Sequence, residues 1–271
     1  MVADYHMHLR DPEERIAHTV EAIERFVETA ARRGVDEIGF TEHVYYFRQT
    51  REIWELPYQT ERCVYDLDAY CAAIAEAKRQ GLPVKLGLEV DHVGERQARL
   101  AELLDPYPWD LLLGSVHRLD GLDVNQQPGV WQTGSIEAVW RRYFAALGEL
   151  AGSGAVDVLA HPDLVKIFGR RPAAVVVAEL HERAVEQIAG AGIAVEISTA
   201  GLHKPVAEIY PSRDLLRACR ARGVPISFAS DTHTPEHVGR DFDTALALAR
   251  DAGYEDAAVF EARERRLVPF D

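Results

Sequence analysis

Cysteine is scarce in this chain. Cys63, Cys71 and Cys219 are the only three in 271 residues, an odd number with no C-x-x-C spacing. That excludes a disulfide framework and points to a reducing compartment, so a cytoplasmic location is expected. Positive charge is also in deficit: 30 Lys and Arg face 44 Asp and Glu, a formal charge of −14, and such a surface repels nucleic acid and anionic lipid. No long apolar run is present, and Met1 leads into a polar, histidine-bearing segment, so neither a signal peptide nor a membrane span is expected. Low-complexity tracts, repeats and linkers are missing too, which predicts one domain over residues 1–271. What is there, 47% hydrophobic and 27% charged residues, suits a large globular core.

Short apolar runs alternate with helical patterns along the whole chain, the rhythm of repeated βα units. Strands are predicted at Ala3–His8, Glu37–Thr41, Val84–Val90, Leu111–Ser115, Val156–Ala160, Ala194–Ile197 and Ile226–Ala229, with a further run, Ala257–Glu261, closing or flanking the sheet. Amphipathic segments near 15–33, 66–79, 95–104, 135–151, 173–190, 213–222 and 238–251 lie between them. Gly34, Gly81, Gly192, Gly223 and Gly253 follow helical patterns, where a left-handed C′ position favours glycine. The longest non-periodic stretch, Tyr45 to Tyr65, is rich in aromatics and reads as a lid or binding loop.

Six of the eleven histidines fall at or just past a strand's C-terminal end. His6 and His8, two apart on an extended segment, point to one side and can reach one ion. Glu42 and His43 follow the second strand, Glu89 ends the third, His117 follows the fourth, His161 and Asp163 the fifth, Asp231 and His233 the seventh. In a parallel barrel those ends share one face, where barrel enzymes keep their active sites. Imidazole with carboxylate and no thiolate suits catalytic zinc, iron or manganese rather than a closed structural zinc site, and the donors are too many for one ion. His18, His181 and His237 lie in helical patterns and read as surface or helix-end residues, and His92 has no evident partner. His203 and Lys204, in a loop after the sixth strand, could face the same mouth.

The order His6-x-His8, Thr41-Glu42-His43, Gly87-Leu88-Glu89, Gly114-Ser115-Val116-His117, His161-Pro162-Asp163 and Ser230-Asp231-x-His233 resembles the polymerase and histidinol phosphatase (PHP) superfamily over nearly the whole chain. It is most similar to the monofunctional histidinol-phosphate phosphatases. The resemblance implies a distorted seven-stranded (β/α)7 barrel, with parallel strands and outer helices, holding two or three divalent ions (Zn, Mn or Fe). By motif, His6, His8, Glu89 and Asp231 would hold the first ion. Glu89 would bridge to a second held by His117 and His161, and His43 and His233 would take a third. One departure matters: the family's third histidine after the HxH pair is missing, and Asp11, Glu13 or His18 would have to substitute.

Two ions sharing a carboxylate lower the pKa of a water between them, giving a bridging hydroxide that attacks phosphorus in line. Cationic side chains would add to the phosphate clamp: the resemblance favours Lys166 and Arg171, while the sixth-strand loop offers His203 and Lys204. Asp231, His233 or a metal-bound water would supply the leaving group's proton. The implied reaction is hydrolysis of L-histidinol phosphate to L-histidinol and phosphate. The expected partner is a small phosphorylated substrate, with no extended nucleic acid and no membrane. The alternatives are a phosphoesterase for nucleotides or another small ester, a metal-dependent amide or lactone hydrolase, and a non-catalytic metal-binding protein. Glu89, where the amide hydrolases would place a carbamylatable lysine, weighs against the amide reading.

Overall fold

Seven parallel strands, buried on both faces, need helices on the outside and packed side chains within, and the chain supplies both in alternation. The computed structural model describes residues 1–9 and 15–270. In order come β1 (Ala3–Asp4), α1 (Val20–Arg32), β2 (Glu37–His43), α2 (Pro57–Thr60), α3 (Leu67–Arg79), β3 (Val84–Asp91), α4 (Gln97–Leu104) and β4 (Leu111–Ser115). A small hairpin follows, β5 (Arg118–Leu119) and β6 (Leu122–Asp123), then α5 (Ile136–Gly152), β7 (Val158–Leu159), α6 (Ala174–Ala191), β8 (Ala194–Ser198), α7 (Arg213–Ala221), β9 (Ile226–Ala229) and α8 (Phe242–Asp251). The chain ends in a second hairpin, β10 (Asp256–Glu261) and β11 (Glu264–Pro269).

The sheet order β1-β2-β3-β4-β7-β8-β9 is parallel throughout and curls into a nearly closed barrel. The regular ladder of the first strand stops at Asp4, short of the predicted His8. Beyond it the chain is shared between neighbours: Met7 O accepts from Thr41 N–H (2.9 Å), and His8 N–H donates to Thr232 O (2.8 Å). Asp4 fastens this seam from beneath. Its Oδ1 accepts Ser230 N–H (2.9 Å), and its Oδ2 accepts Ser230 Oγ (2.5 Å) and Gly239 N–H (2.9 Å).

Glycine matters most at Gly87, where a Cβ would lie 2.7 Å from Thr41 Cγ2 and 3.0 Å from Leu111 O. Its absence lets β3 sit close between β2 and β4, carrying Glu89 to the middle of the barrel mouth. The predicted helix from residue 15 starts only at Val20, because Thr19 caps it by accepting the Ala22 N–H (3.2 Å). His18 therefore precedes the helix rather than riding on it. The terminal hairpin joins no barrel strand; it plugs the end away from the strands' C-termini. Ala258, Val259 and Phe260 pack there on Leu111, Val158 and Ala194, and Phe260 meets the Tyr5 ring edge-on at 5.8 Å. Among the described residues no helix is long and apolar enough to cross a membrane.

Candidate metal centre

Six of the seven strands, all but β8, deliver a ligand-type residue from or just past their C-terminal ends to one mouth, because inward positions alternate along a strand and the barrel axis is common to all. Glu89, 1% exposed, stands at the centre. Its Oε1 faces His117 Nε2 (3.3 Å) and His161 Nε2 (3.2 Å). Its Oε2 faces His43 Nδ1 (2.6 Å), His6 Nε2 (3.6 Å) and His8 Nε2 (3.8 Å). Asp231 Oδ1 closes the far side, 3.6 Å from His6 Nε2 and 3.7 Å from His8 Nε2. The donors fall into groups able to hold an ion: His6, His8 and Asp231; His6, Glu89 and His161; His43, Glu89 and His117; and His8, His43 and His233. In the last, His8 stacks on His43 at 4.3 Å and on the exposed His233 at 4.2 Å.

Buried nitrogen without a partner is costly, and His6 Nε2 and His8 Nε2 are both buried without a hydrogen bond. Neutral imidazole and carboxylate donors aimed at a common point fit a divalent cation. His161 (φ 29°) and Asp231 (φ 50°) both hold the left-handed backbone that non-glycine residues avoid, a cost tolerated at functional sites.

The charges in this cluster set one another's protonation. Burial opposes the charged form of Glu89, yet the imidazoles of His117, His43 and His6 outweigh it and hold the carboxyl well below its ordinary value. Asp231 is likewise lowered, burial being overcome by His6, His8 and His233. Burial also resists protonation of His117, but Glu89 and then Asp91 carry it up to about 9. His6 is raised well above its usual value against burial, by Glu196, Asp231 and Glu89, whereas at His43 burial prevails and lowers it. Asp4, beneath the site, is pushed up to about 6 by burial despite its hydrogen bonds.

Behind the rings stand carboxylates that sequence reasoning passed over or placed otherwise. Glu196 meets His6 Nδ1 with both oxygens, at 3.2 and 3.0 Å; Asp91 meets His117 Nδ1 at 2.9 Å; Glu42 lies 3.4 Å from His8 Nδ1 and accepts the Leu9 N–H (2.7 Å). At His6 and His117 this occupies the outer nitrogen, which fixes the tautomer and turns the other lone pair inward. For Glu196 the sequence signal is an acid in the middle of a buried strand, which needs a partner; Glu42 and Asp91 lie at strand ends.

The basic residues expected at the mouth divide. Lys166, 0% exposed, donates to Ile209 O (2.7 Å) and pairs with Asp163 Oδ2 at 3.1 Å and Glu208 Oε2 at 3.4 Å. Arg171 is bound to the same Glu208 at 2.6 Å. Asp163 is therefore engaged by Lys166 and by the Ser212 N–H (2.8 Å), away from the clustered imidazoles. His203 pairs with Asp241 at 2.6 Å, and Lys204 is exposed beside it. Arg118, next to His117 and unmarked in the sequence, lies 4.6 Å over the Tyr58 ring and pairs with Asp123 at 2.8 Å. The Tyr45–Tyr65 stretch folds into short turns around α2 and stacks Tyr45 on His43 at 4.9 Å.

Of the remaining histidines, His92 has a partner after all, Glu149 at 3.1 Å. His181, expected at the surface, is buried in α6 and packs on Phe144 at 5.6 Å. His237 closes a short turn, Pro235–His237, instead of opening a helix. Asp11 and Glu13 lie outside the described residues. His18 packs between Phe47 and Tyr70, with its Nε2 3.9 Å from Glu42 Oε1, and belongs to none of the donor groups above.

The family profile described as "PHP domain" matches residues 4–200. A Deinococcus radiodurans protein named "Probable histidinol-phosphatase" is 32% identical over 267 residues, covering 97% of each chain. The Bacillus subtilis protein named "Histidinol-phosphatase" is 26% identical over 252 residues, 83% of this chain and 92% of its own. Among solved structures, the histidinol phosphate phosphatase of Lactococcus lactis, complexed with zinc, L-histidinol and phosphate, superposes with a TM-score of 0.76 at 20% identity, covering 98% of both chains.

Proposed function

Because the chain belongs to the PHP domain family, we propose that it is a metal-dependent phosphomonoesterase that hydrolyses L-histidinol phosphate to L-histidinol and inorganic phosphate in histidine biosynthesis. The observation that carries this reading is the division of Glu89 between two sets of imidazoles, one oxygen toward His117 and His161, the other toward His6, His8 and His43. A carboxylate so shared suits paired cations. His6, His8, Glu89 and Asp231 would hold one, Glu89, His117 and His161 a second, and His43 and His233, with His8 beside them, a third. Zinc, manganese and iron all suit this donor set.

When bound, such ions would supply Lewis-acid polarisation of the phosphoryl group and activation of a water. The chain's own residues do the rest. Asp231, kept ionised by His6, His8 and His233, has no proton to give near neutral pH. His233, exposed at the mouth, is the donor to the departing alkoxide when the third group holds no ion. Arg171, His203 and Lys204 are candidates for the phosphate's remaining oxygens, and the Tyr45 and Tyr58 rings frame the amino-alcohol end. Three buried free thiols suit a cytoplasmic enzyme.

The test is phosphate release by the zinc- or manganese-loaded protein from histidinol phosphate, nucleoside monophosphates and a short oligonucleotide in parallel. Histidinol phosphate should give the highest kcat/KM. A preference for nucleotides would overturn the substrate reading, and no release from any ester would overturn the activity.

A further inference from the structure

Strand β8 carries no ligand-type residue at its C-terminal end, yet it holds a buried acid at its centre. Glu196 is 1% exposed, between Val195 and Ile197, in register with Ser227 of β9. A carboxylate there would be expensive unless every lone pair were used. Its two oxygens flank His6 Nδ1 at 3.2 and 3.0 Å, and Oε1 also accepts the backbone N–H of His161 at 2.7 Å.

These two contacts reach donors that the proposed assignment gives to different ions. His6 and His161 both lie close to Glu89, but His6 also faces Asp231 and His8, the donors of the first ion, whereas His161 faces Glu89 Oε1 beside His117, the donors of the second. The contact to His161 is to the main chain, and it matters because the outer nitrogen of that ring, Nδ1, is buried without a hydrogen bond. The ring packs against His6, His117 and Tyr210, and its backbone, held at φ 29°, gives its N–H to Glu196. Asp91 meets the ring of His117, and Glu42 lies beside the ring of His8 and accepts the Leu9 N–H. Glu196 grips the ring of one donor and the main chain of the other.

We infer that Glu196 is a positioning residue that couples the two metal groups: one side chain fixes the tautomer and tilt of His6 and the placement of His161, so the two ions depend on it together. The inference rests on the reading that these groups hold ions, though not on which ester is cleaved. A carboxylate can accept from the His6 Nδ1–H and the His161 N–H at once. A carboxamide of the same shape keeps whichever contact its oxygen faces and turns its N–H toward the other, so only removal or withdrawal of the carboxylate loses both.

The experiment is zinc binding to the full chain by chelator competition, with metal content by mass spectrometry, for wild type, Glu196→Ala and Asp91→Asn. Melting of each metal-free protein checks folding. Glu196→Ala, which removes both contacts, should weaken both of the two tightest zinc ions together, by about 10–100-fold each, as for groups that support a ligand, whereas Asp91→Asn should weaken one. Glu196→Asp, which keeps the charge but loses the reach, should also weaken both and serves if the alanine variant does not fold. Loss of one ion only in the Glu196 variants, or unchanged affinities, would overturn the coupling. Wild type that binds fewer than two zinc ions would overturn the metal reading beneath it. Zinc binding that behaves as described in a protein inert toward histidinol phosphate would sink only the proposed substrate.

Discussion

Protons should compete with metal at this site, and His117 sets the scale. In the metal-free protein its imidazole, between Glu89 and Asp91, is carried up to about 9, so near neutral pH the nitrogen facing Glu89 Oε1 at 3.3 Å bears a proton that an incoming ion must displace. That one proton reduces apparent affinity about 100-fold at pH 7 and about tenfold at pH 8, so log affinity should climb with a slope of at least one per pH unit and flatten above about pH 9. His6, also raised, steepens the climb. The stability of the metal-free protein runs the other way. Because the folded value lies above that of free imidazole, the stabilisation from His117 is complete below about pH 6.5 and is lost as pH rises through about 9, on the order of 3 kcal/mol in all. Chelator-buffered zinc titrations from pH 6.5 to 9.5, with calorimetry in two buffers of different ionisation enthalpy to count released protons, measure the first effect. Urea unfolding of the metal-free protein measures the second. An affinity flat between pH 7 and 9, with no proton released, would refute the electrostatic account of the cluster.

His161→Ala should cut phosphate release from histidinol phosphate by more than about 100-fold, beyond what loss of a ligand's supporting group does, with circular dichroism unchanged; near-wild-type turnover would show that the ligand assignment is wrong. Lys166→Met strands the buried carboxylate of Asp163 and should cost about 3–5 kcal/mol in urea unfolding, whereas a lysine that held substrate would raise KM and leave stability alone. Gly87→Ala drives a methyl into Thr41 and Leu111 and should cost about 1–3 kcal/mol by the same measurement. Prolonged chelation should abolish turnover, and zinc or manganese added back should restore it; activity that survives verified metal removal would exclude a metal-dependent reaction.

Much of the barrel can be read from the chain because its strands are covered on both sides and so appear as unbroken apolar runs, and because left-handed glycines such as Gly192 mark where helices stop. The histidines stand out for a related reason: strand ends are where periodicity ceases, and a polar residue there is visible. Glu196 is hidden by the same logic, sitting inside a run where its neighbours set the reading, while its partners lie 190 and 35 positions away. Lys166 misleads differently, since a lysine three residues past a motif reads as exposed, and its burial depends on Asp163 and on Ile209 from another unit. The last strand, Glu264–Pro269, escapes notice because it is exposed along most of its length, with charged Glu264, Arg265 and Arg266 leading it, and its pairing with Asp256–Glu261 serves as a stopper rather than as part of the wall.

The Asp4 clasp has a consequence for how the protein matures. Its carboxylate grips Ser230 and Gly239, which lie 226 and 235 positions downstream, so a growing polypeptide that already displays His6, His8, His43 and Glu89 still has an open seam. The donor group of His6, His8 and Asp231 is complete only when that seam is closed, so the first and last parts of the chain have to meet before the cup has its full rim.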